Sequence, residues 1–229
     1  MNCQRCSPSV SVIVPVFNEC DNLPALLAHV KNLAALQVIL VDGGSSDGSQ
    51  QLLAESGLTW LSSRPGRARQ MNAGASQATG DVLLFLHADT RLPEHSLALL
   101  GDGLDNSNRV WGRFNVSIAG ASPWLKCIAF MMNQRSRLTG IATGDQAIFI
   151  QRRVFESLGG YADIVLMEDV ELSKRLKCYG PPVCIRQKVI TSGRRWQKNG
   201  VVKTVLLMWW LRFAYWCGVS PVRLARWYS

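Results

Sequence analysis

The sequence predicts an α/β protein built on a doubly wound, mostly parallel sheet with helices on both faces. Short apolar runs alternate with stretches of helical periodicity four times between residues 10 and 92, and this alternation is typical of such sheets. The run at residues 82–86 is apolar without a break, as in a strand that is covered on both faces. It is too short for a helix and ends abruptly at His87, Ala88 and Asp89.

The first part of the chain supplies four strands, each followed by a helix. The predicted strands are residues 10–17, 38–41, 59–61 and 82–86. Pro15 lies where the first strand is ending, which is a position that tolerates proline. The first helix places on one face Leu23, Leu26, Leu27, Val30 and Leu33. A second helix covers residues 49–56, and the third ends at Gly80.

The second part of the chain departs from this alternation. A helix begins near Pro93, and the Gly-, Asp- and Asn-containing residues 101–109 predict a polar turn region. The remaining predicted elements are a strand at 110–118, a helix at 123–138, a strand at 147–150, a short helix at 153–158, a helix from Met167 to about Gly180 and an apolar, aromatic helix within 201–218. Lys203 and Arg212 interrupt this last helix, so its apolar run is far shorter than the about 20 residues that span a bilayer.

Composition and charge limit the class of partner. The 229 residues carry a formal net charge of +9, which predicts an acidic partner such as a nucleotide, a nucleic acid or an anionic membrane. The basic residues are dispersed and no nucleic-acid-binding motif accompanies them, so a nucleic-acid binder is disfavoured. Seven cysteines without a repeating frame, and a start without an apolar signal run, predict a cytoplasmic location. The isolated pair Cys3 and Cys6 predicts a loose terminus rather than a zinc site.

Polar side chains follow the predicted strands at the points where the strands end. Asn18 and Glu19 follow the first strand, Asp42 the second, and His87 and Asp89 the fourth. Because open parallel sheets bind ligands at the carboxyl edge, we expect these side chains to meet in one crevice. A carboxylate there can hold a divalent cation, and a cation can hold a phosphate. Asp89 could equally cap the helix that follows it.

Two further groups of charged residues belong to the candidate site. Arg64, Arg67 and Arg69 bring guanidinium groups to the same sheet edge, where they suit phosphate oxygens, although a solvated basic helix face has the same pattern. Glu168 and Asp169 are adjacent carboxylates at a helix start. One of them can serve as a general base, but acids also occur at helix starts simply because they favour the helix dipole.

Five segments together resemble the motifs of the inverting GT-A glycosyltransferases of family two. In chain order they are Val-Pro-Val-Phe-Asn-Glu at 14–19, Val-Asp-Gly-Gly-Ser-Ser-Asp-Gly at 41–48, Gly-Arg-Ala-Arg-Gln-Met-Asn at 66–72, Phe-Leu-His-Ala-Asp at 85–89 and Met-Glu-Asp at 167–169. The resemblance covers residues 10 to about 180. It implies a GT-A fold, a UDP- or GDP-sugar donor and transfer with inversion to an acceptor hydroxyl.

The resemblance also implies roles for individual residues. Nucleotide contacts are expected from Pro15, Asn18, Glu19, Asp42, Arg67, Asn72 and His87. Asp89, with His87, would hold Mn²⁺ or Mg²⁺ on the diphosphate, and Asp169 or Glu168 would deprotonate the acceptor hydroxyl. Ser-Gly-Arg-Arg-Trp at 192–196 is similar to the Gln-x-x-Arg-Trp motif of processive members. In that motif Arg195 would reach the diphosphate, and Trp196 would face an acceptor sugar.

The chain departs from the family pattern at three positions. His87 stands where the Asp-x-Asp motif has its first Asp, and Gly43 stands where a second Asp often follows Asp42. Imidazole suits manganese better than magnesium, so the choice of cation stays open. Ser192 replaces the Gln of the processive motif, and processivity is therefore not implied.

Two other enzyme classes fit parts of the sequence. Gly-Ser-Ser-Asp-Gly at 44–48 matches Gly-x-Ser-x-Gly, which would make Ser46 the nucleophile of an α/β hydrolase. That fold needs a catalytic histidine late in the chain, whereas no histidine follows His95. A nucleotidyltransferase on a similar scaffold would share the metal, phosphate and sheet features, and the pair of Glu168 and Asp169 favours glycosyl transfer over it.

The chain is expected to contain a nucleotide-sugar-binding catalytic domain at residues 1–190 and a basic, aromatic helical extension at residues 191–229. On a helical projection, an aromatic stripe of about 120° contains Leu206, Trp209, Trp210, Phe213, Trp216 and Cys217. The extension would pack on the catalytic domain or meet an anionic membrane at its cytoplasmic face, where a lipid-linked acceptor could be reached.

Overall fold

The computed structural model describes residues 8–194, 196 and 200–228. Among these residues, eight strands form one sheet. The strands are β1 (Val10–Val16), β2 (Gln37–Asp42), β3 (Thr59–Ser62), β4 (Val82–Phe85), β5 (Thr90–Arg91), β6 (Trp111–Ile118), β7 (Phe149–Gln151) and β8 (Val183–Thr191). The helices are α1 (Leu23–Lys31), α2 (Ser49–Glu55), α3 (Arg67–Ser76), α4 (Ser96–Ser107), α5 (Pro123–Thr139), α6 (Arg152–Ser157), α7 (Glu168–Leu176), α8 (Val201–Trp216) and α9 (Pro221–Tyr228). The strand order is β3-β2-β1-β4-β7-β6-β8-β5.

The amino-terminal part of the sheet is parallel, as the sequence predicts. β1 lies between β2 and β4, and β2 also pairs with β3, all in parallel. Every residue of β1 and β4 is buried because separate apolar clusters cover the two faces of the sheet. Ile13 is the last β1 residue that pairs with β4. Pro15 comes two residues later and pairs with Val41 of β2. Its missing N–H therefore leaves no ladder bond unmade.

Antiparallel pairing enters the sheet beyond β4. β7 is antiparallel to both β4 and β6, β8 is parallel to β6, and β5 is antiparallel to β8. The prediction of a mostly parallel sheet with helices on both faces is confirmed. β8 was not predicted, because the register shifts between Phe114 and Asn115 of β6 and three consecutive exposed residues interrupt the alternation of β8.

The predicted polar turn at residues 101–109 is wrong over most of its length. α4 begins at Ser96 and continues to Ser107. A Cβ at Gly103 would approach Val183 Cγ1 to 2.9 Å. This glycine therefore allows the helix to pack closely on β8, and it does not mark a turn.

The carboxyl-terminal helices pack on α5 and α7. One apolar cluster joins Met167 and Val170, at the start of α7, to Leu211 and Ala214 of α8 and Leu224 of α9. Val201 and Val205 of α8 pack against the cluster that contains Leu125 and Ile128 of α5. Lys174 Nζ of α7 also lies 4.5 Å from the ring centre of Tyr215 in α8. Among the described helices, none combines the length and the apolarity that crossing a membrane requires.

Candidate active site

A cleft of about 440 Å³ opens at the carboxyl edge of the parallel strands. β1 and β4 end at it, α3 and α7 begin at it, and α8 contributes a further wall. The predicted site residues that line it are Pro15, Glu19, Arg67, His87, Asp89, Asp169 and Trp196. Those that lie outside its lining are Asn18, Asp42, Asn72 and Glu168. Arg195 lies outside the described residues.

Asp42 and Asn18 shape the loop between β2 and α2. Asp42 is fully buried, and its Oδ2 accepts hydrogen bonds from Gly44 N and from Gln50 Nε2, each at 2.9 Å. Asn18 Oδ1 accepts a hydrogen bond from Ser46 N, also at 2.9 Å. Ser46 does not line the cleft, so its position gives the hydrolase alternative no support.

Two side-chain amides hold α3 beside the cleft. Gln70 Nε2 donates to the carbonyl oxygens of Val16 and Val41, each at 2.8 Å, and so joins the ends of β1 and β2. Gln70 also lines the cleft but was not predicted, because its role depends on two strand ends meeting. Asn72 exchanges two hydrogen bonds of 2.8 Å with the backbone of Tyr161, so it anchors that segment to α3.

His87 and Asp89 follow β4, and Asp145 lies beside them. His87 Nδ1 is 3.3 Å from Asp145 Oδ1. Burial raises the pKa of Asp89, and the charges of Asp145 and Glu19 raise it further, against the opposing effects of His87 and Arg67. A cation would relieve this repulsion, and carboxylates with an imidazole suit a divalent metal ion. Within the described ranges no three such side chains are grouped closely enough to hold an ion by themselves.

Asp145 was not predicted from the sequence. It lies in the 3₁₀ turn Gly144–Gln146, where Thr143 and Gln146 form a reciprocal capping box. A Cβ at Gly144 would collide with the His87 imidazole, so only glycine lets this turn approach the end of β4. The Thr-x-x-Gln spacing is the sequence signal that could have indicated this turn.

The first two carboxylates of α7 have different environments. Asp169 lines the cleft, with its Oδ2 accepting a hydrogen bond from Gly144 N at 2.9 Å and its Oδ1 one from Val170 N at 2.7 Å. Glu168 is only 6% exposed. Burial, and then the charge of Asp169, raise the pKa of Glu168 to about 7. Met167, just before the helix, has φ +70°, a costly conformation for a non-glycine residue that is common at functional sites.

The remainder of the cleft lining is largely apolar. It includes Ile118, Met132, Leu166, Val170, Trp196 and Met208. Arg212 follows Met208 by about one helical turn of α8 and lines the cleft as well. Burial lowers the pKa of Arg212, while Asp169 and Asp145 act to raise it. The cleft therefore has a charged side at the strand ends and a mainly apolar side that carries one guanidinium group.

A doubly wound sheet with an acidic, arginine-containing cleft at its carboxyl edge defines a protein of the GT-A type. Residues 11–158 match the family described as Glycosyl transferase family 2, and the chain belongs to that family. It is 31% identical over 156 residues to the undecaprenyl-phosphate 4-deoxy-4-formamido-L-arabinose transferase of Klebsiella pneumoniae (strain 342), covering 62% of this chain and 47% of the relative. The chain thus spans about half the length of the curated relatives it matches.

Solved structures resemble the fold at low sequence identity. The mannosyltransferase PcManGT from Pyrobaculum calidifontis is 18% identical with a TM-score of 0.61, covering 81% of this chain and 57% of that chain. S. aureus TarS residues 1–349 are 16% identical with a TM-score of 0.65, covering 81% of this chain and 60% of that chain. These likenesses establish the fold, and the expected GT-A fold is confirmed.

Glu168 makes the free energy of unfolding depend on pH. Its pKa of about 7 in the folded protein exceeds the ordinary value of 4.5, so the folded state binds more protons between these pH values. This contribution to stability is fully present below pH 4.5 and is lost as the pH rises through 7. In the wild-type protein, Glu168 should lower the free energy of unfolding by about 2 kcal/mol between about pH 5 and pH 8. Glu168→Gln should abolish this decrease, which urea unfolding at the two pH values would measure. Glu94→Gln, at an exposed position, should keep the wild-type dependence, and an unchanged dependence in Glu168→Gln would contradict the prediction.

Proposed function

We propose that the protein transfers a sugar from a nucleotide-diphosphate sugar to an acceptor hydroxyl, with inversion and with the aid of Mn²⁺ or Mg²⁺. The observation that carries the proposal is that Arg67, Asp89 and Asp169 line one cleft. Groups suited to a diphosphate and a group suited to accepting a proton therefore face the same space. Two solved structures of similar fold contain such ligands, GDP-Man with Mn²⁺ in PcManGT and UDP-GlcNAc in TarS.

The diphosphate of the donor would lie between the end of β4 and the start of α3. Arg67 is the first residue of α3, where its guanidinium and the free helix N–H groups together favour an anion. His87 and Asp89 would hold the cation against the same diphosphate, and the imidazole favours manganese. When bound, the cation offsets the negative charge that develops on the leaving diphosphate.

Asp169 is the proposed general base. As the acceptor oxygen bonds to the anomeric carbon, the bond from that carbon to the diphosphate oxygen breaks and the acceptor proton passes to the Asp169 carboxylate. The hydrogen bonds from Gly144 N and Val170 N fix this carboxylate in position. Glu168 is buried and lies outside the cleft lining, so it is not the proposed base.

Asp89→Asn tests the donor site. The substitution keeps the size of the side chain but removes its charge, so Mn²⁺-dependent binding of UDP or GDP should be lost while the fold is retained. Titration calorimetry of both nucleotides, with Mn²⁺ and with chelator, measures this. Asp105→Asn, at an exposed position of α4, is the control and should behave as wild type. Equal wild-type affinity with Mn²⁺ and with chelator would refute the proposed role of the metal.

Asp169→Asn tests the base. It should lower kcat by about 10²- to 10⁴-fold with donor affinity nearly unchanged, because the lost interaction belongs to the transition state. Glu168→Gln should lower it less. Assays that follow release of nucleoside diphosphate measure both, and NMR of the product gives its anomeric configuration. Equal losses for the two variants, retained configuration, or release of pyrophosphate would each overturn part of the proposal.

We further propose that the acceptor is lipid-linked, and that residues 191–229 attach the catalytic domain, residues 1–190, to a membrane surface. α8 carries on its cleft-lining face Thr204, Met208 and Arg212. On its opposite face the exposed residues are Leu206, Trp209, Trp210, Phe213 and Trp216. With the exposed Trp227 of α9, they form what we call the aromatic surface.

Four rings of the aromatic surface form a continuous row. Trp210 lies 6.2 Å from Trp227 and 6.3 Å from Phe213 between ring centres, and Phe213 lies 6.3 Å from Trp216. Tryptophan rings are favoured at the headgroup level of a bilayer. Exposed basic residues on the same two helices would be attracted to anionic lipid; they are Lys203, Arg223 and Arg226. The Klebsiella relatives are named as transferases of undecaprenyl phosphate, which is itself a lipid.

Substitutions within the aromatic surface test membrane binding without disturbing the buried contacts of α8. The wild-type protein should pellet with phosphatidylglycerol vesicles but not with phosphatidylcholine vesicles, and high salt should release it. The double variant Trp209→Ser and Trp216→Ser should stay in the supernatant. Leu36→Ser is the control, since Leu36 is an exposed apolar residue just before β2, at the sheet edge opposite the cleft. Pelleting of the double variant at the wild-type level would contradict the proposal.

A further inference from the structure

The side-chain amide of Gln70 has an orientation that its contacts fix. Its Nε2 donates to the carbonyl oxygens of Val16 and Val41. Because carbonyl oxygens only accept hydrogen bonds, the nitrogen must face them and Oε1 must face away. Both N–H groups of the amide are used in this way. Oε1 is therefore the polar atom of this side chain that is left for another partner.

The Oε1 atom of Gln70 borders the cleft. Gln70 lines the cleft, although only 2% of its surface is exposed. Within the described part of the chain, no donor is hydrogen-bonded to Oε1, and this atom is not one of the fully buried polar atoms that lack a partner. Oε1 is therefore an acceptor that a ligand in the cleft can reach.

The amide of Gln70 occupies the space that a side chain at position 43 would need. A Cβ at Gly43 would lie 2.9 Å from Cδ of Gln70 and 3.0 Å from both Nε2 and Oε1, so close that one of the two groups would have to move. Gly43 is also a departure from the family pattern, which often has an aspartate at this position. The two positions are thus coupled, because a carboxylate at position 43 and the amide of Gln70 exclude each other.

Gln70 lies at the part of the proposed donor site that a nucleotide base would reach. It follows Arg67, which is assigned to the diphosphate, by about one turn of α3. Phe17 comes directly after Val16, whose carbonyl holds the amide. The Phe17 side chain lines the cleft, and 51% of the residue is exposed. An exposed ring and a free acceptor at the same strand ends suit a flat aromatic base.

The carboxylates at these strand ends do not supply a second free acceptor for the base. Asp42 is buried and lies outside the cleft lining. Glu19 lines the cleft, but its Oε2 is paired with Nη2 of Arg194 at 3.1 Å. A base at the ends of β1 and β2 would therefore meet one neutral acceptor, the amide oxygen of Gln70.

We propose that Gln70 Oε1 accepts a hydrogen bond from the N3–H group of a uracil or thymine base and so determines which nucleotide the donor carries. The inference rests on the proposed function and adds to it the class of base. Uracil and thymine present a single N–H group on the edge that pairs with other bases, which matches a single acceptor. Guanine presents two adjacent donors, and one of them would lack a partner at Gln70. Cytosine has a lone pair at N3, which Oε1 would repel.

Titration calorimetry of the wild-type protein with Mn²⁺ tests the choice of base. The probes are UDP, dTDP, GDP, CDP and UDP that is methylated at N3. Methylation should weaken the binding of UDP at least about tenfold, because it removes the donated hydrogen. CDP, which has no added methyl group, should bind as weakly as the methylated compound, so bulk alone does not explain the loss. The tighter of UDP and dTDP identifies the base.

Gln70→Ala separates recognition of the base from the joining of the strands. The variant lacks the acceptor, so UDP should bind more weakly and the ratio of UDP affinity to CDP affinity should approach one. A purely structural role would weaken both ligands equally and leave the ratio unchanged. Gln77→Ala is the control, since Gln77 is exposed and lies just after α3, and it should keep the wild-type ratio.

The double variant Gly43→Asp and Gln70→Ala supplies an acceptor from the other side of the same space. Gly43 has no positive φ among the described glycines, so its backbone tolerates a side chain. Gly43→Asp alone should lower the melting temperature and weaken the binding of all five probes, because the new side chain meets the amide of Gln70. The double variant should regain a preference for UDP over CDP that Gln70→Ala lacks.

Four results would overturn the inference. They are equal binding of UDP and N3-methylated UDP by the wild-type protein, binding of GDP or CDP as tightly as the better of UDP and dTDP, a wild-type ratio in folded Gln70→Ala, and a folded double variant without a preference for UDP over CDP. If neither variant folds, the wild-type series alone decides. Failure of every nucleoside diphosphate to bind with Mn²⁺ would contradict the proposed function instead, so the two failures are distinguishable.

Discussion

Charge balance in a partly buried cleft is the constraint on which the site depends. Carboxylates are gathered in or beside this space, and they are Glu19, Asp89, Asp145, Glu168 and Asp169. Burial favours the neutral forms of Asp89 and Glu168, and the charges of neighbouring carboxylates act in the same direction. The pKa values of Asp89 and Glu168 are raised accordingly. Arg67 opposes both shifts, so a single guanidinium at the start of α3 links the two sides of the cleft electrostatically.

In the proposed function, the topology of the sheet would separate the two substrates. The parallel strands β1, β2 and β4 bring their carboxyl ends to one edge, and Gln70 joins two of those ends through their carbonyl oxygens. This edge provides the charged side of the cleft. The apolar side is built from α5, α7 and α8, which follow the parallel half in the chain. A polar, phosphorylated donor and an acceptor with an apolar part would therefore meet at Asp169, between the two sides.

α8 connects three properties of the molecule because its faces differ. One face packs on α7 through Leu211 and Ala214, a second lines the cleft with Met208 and Arg212, and the third exposes the aromatic surface. A helix that merely stabilised the catalytic domain would have no need for a row of exposed rings, since exposed apolar surface is unfavourable in water. In the proposed function, one face of this helix contacts the acceptor and another face contacts the lipid surface.

The sequence by itself determined the parallel core, the strand ends and the adjacent acids of α7, because these features depend on local periodicity. An unbroken apolar run predicts a strand covered on both faces, and the residues that follow it must lie at the carboxyl edge. β8 was missed because a shift in the register of its pairing with β6 disrupts its alternation, and Gly103 was misinterpreted because its packing partner, Val183, lies 80 residues away. Only the tertiary structure decided that Asp145 reaches His87 and that Gln70 joins two strands. Each of these contacts joins segments distant in the chain, and no local pattern records which distant side chain a residue will meet.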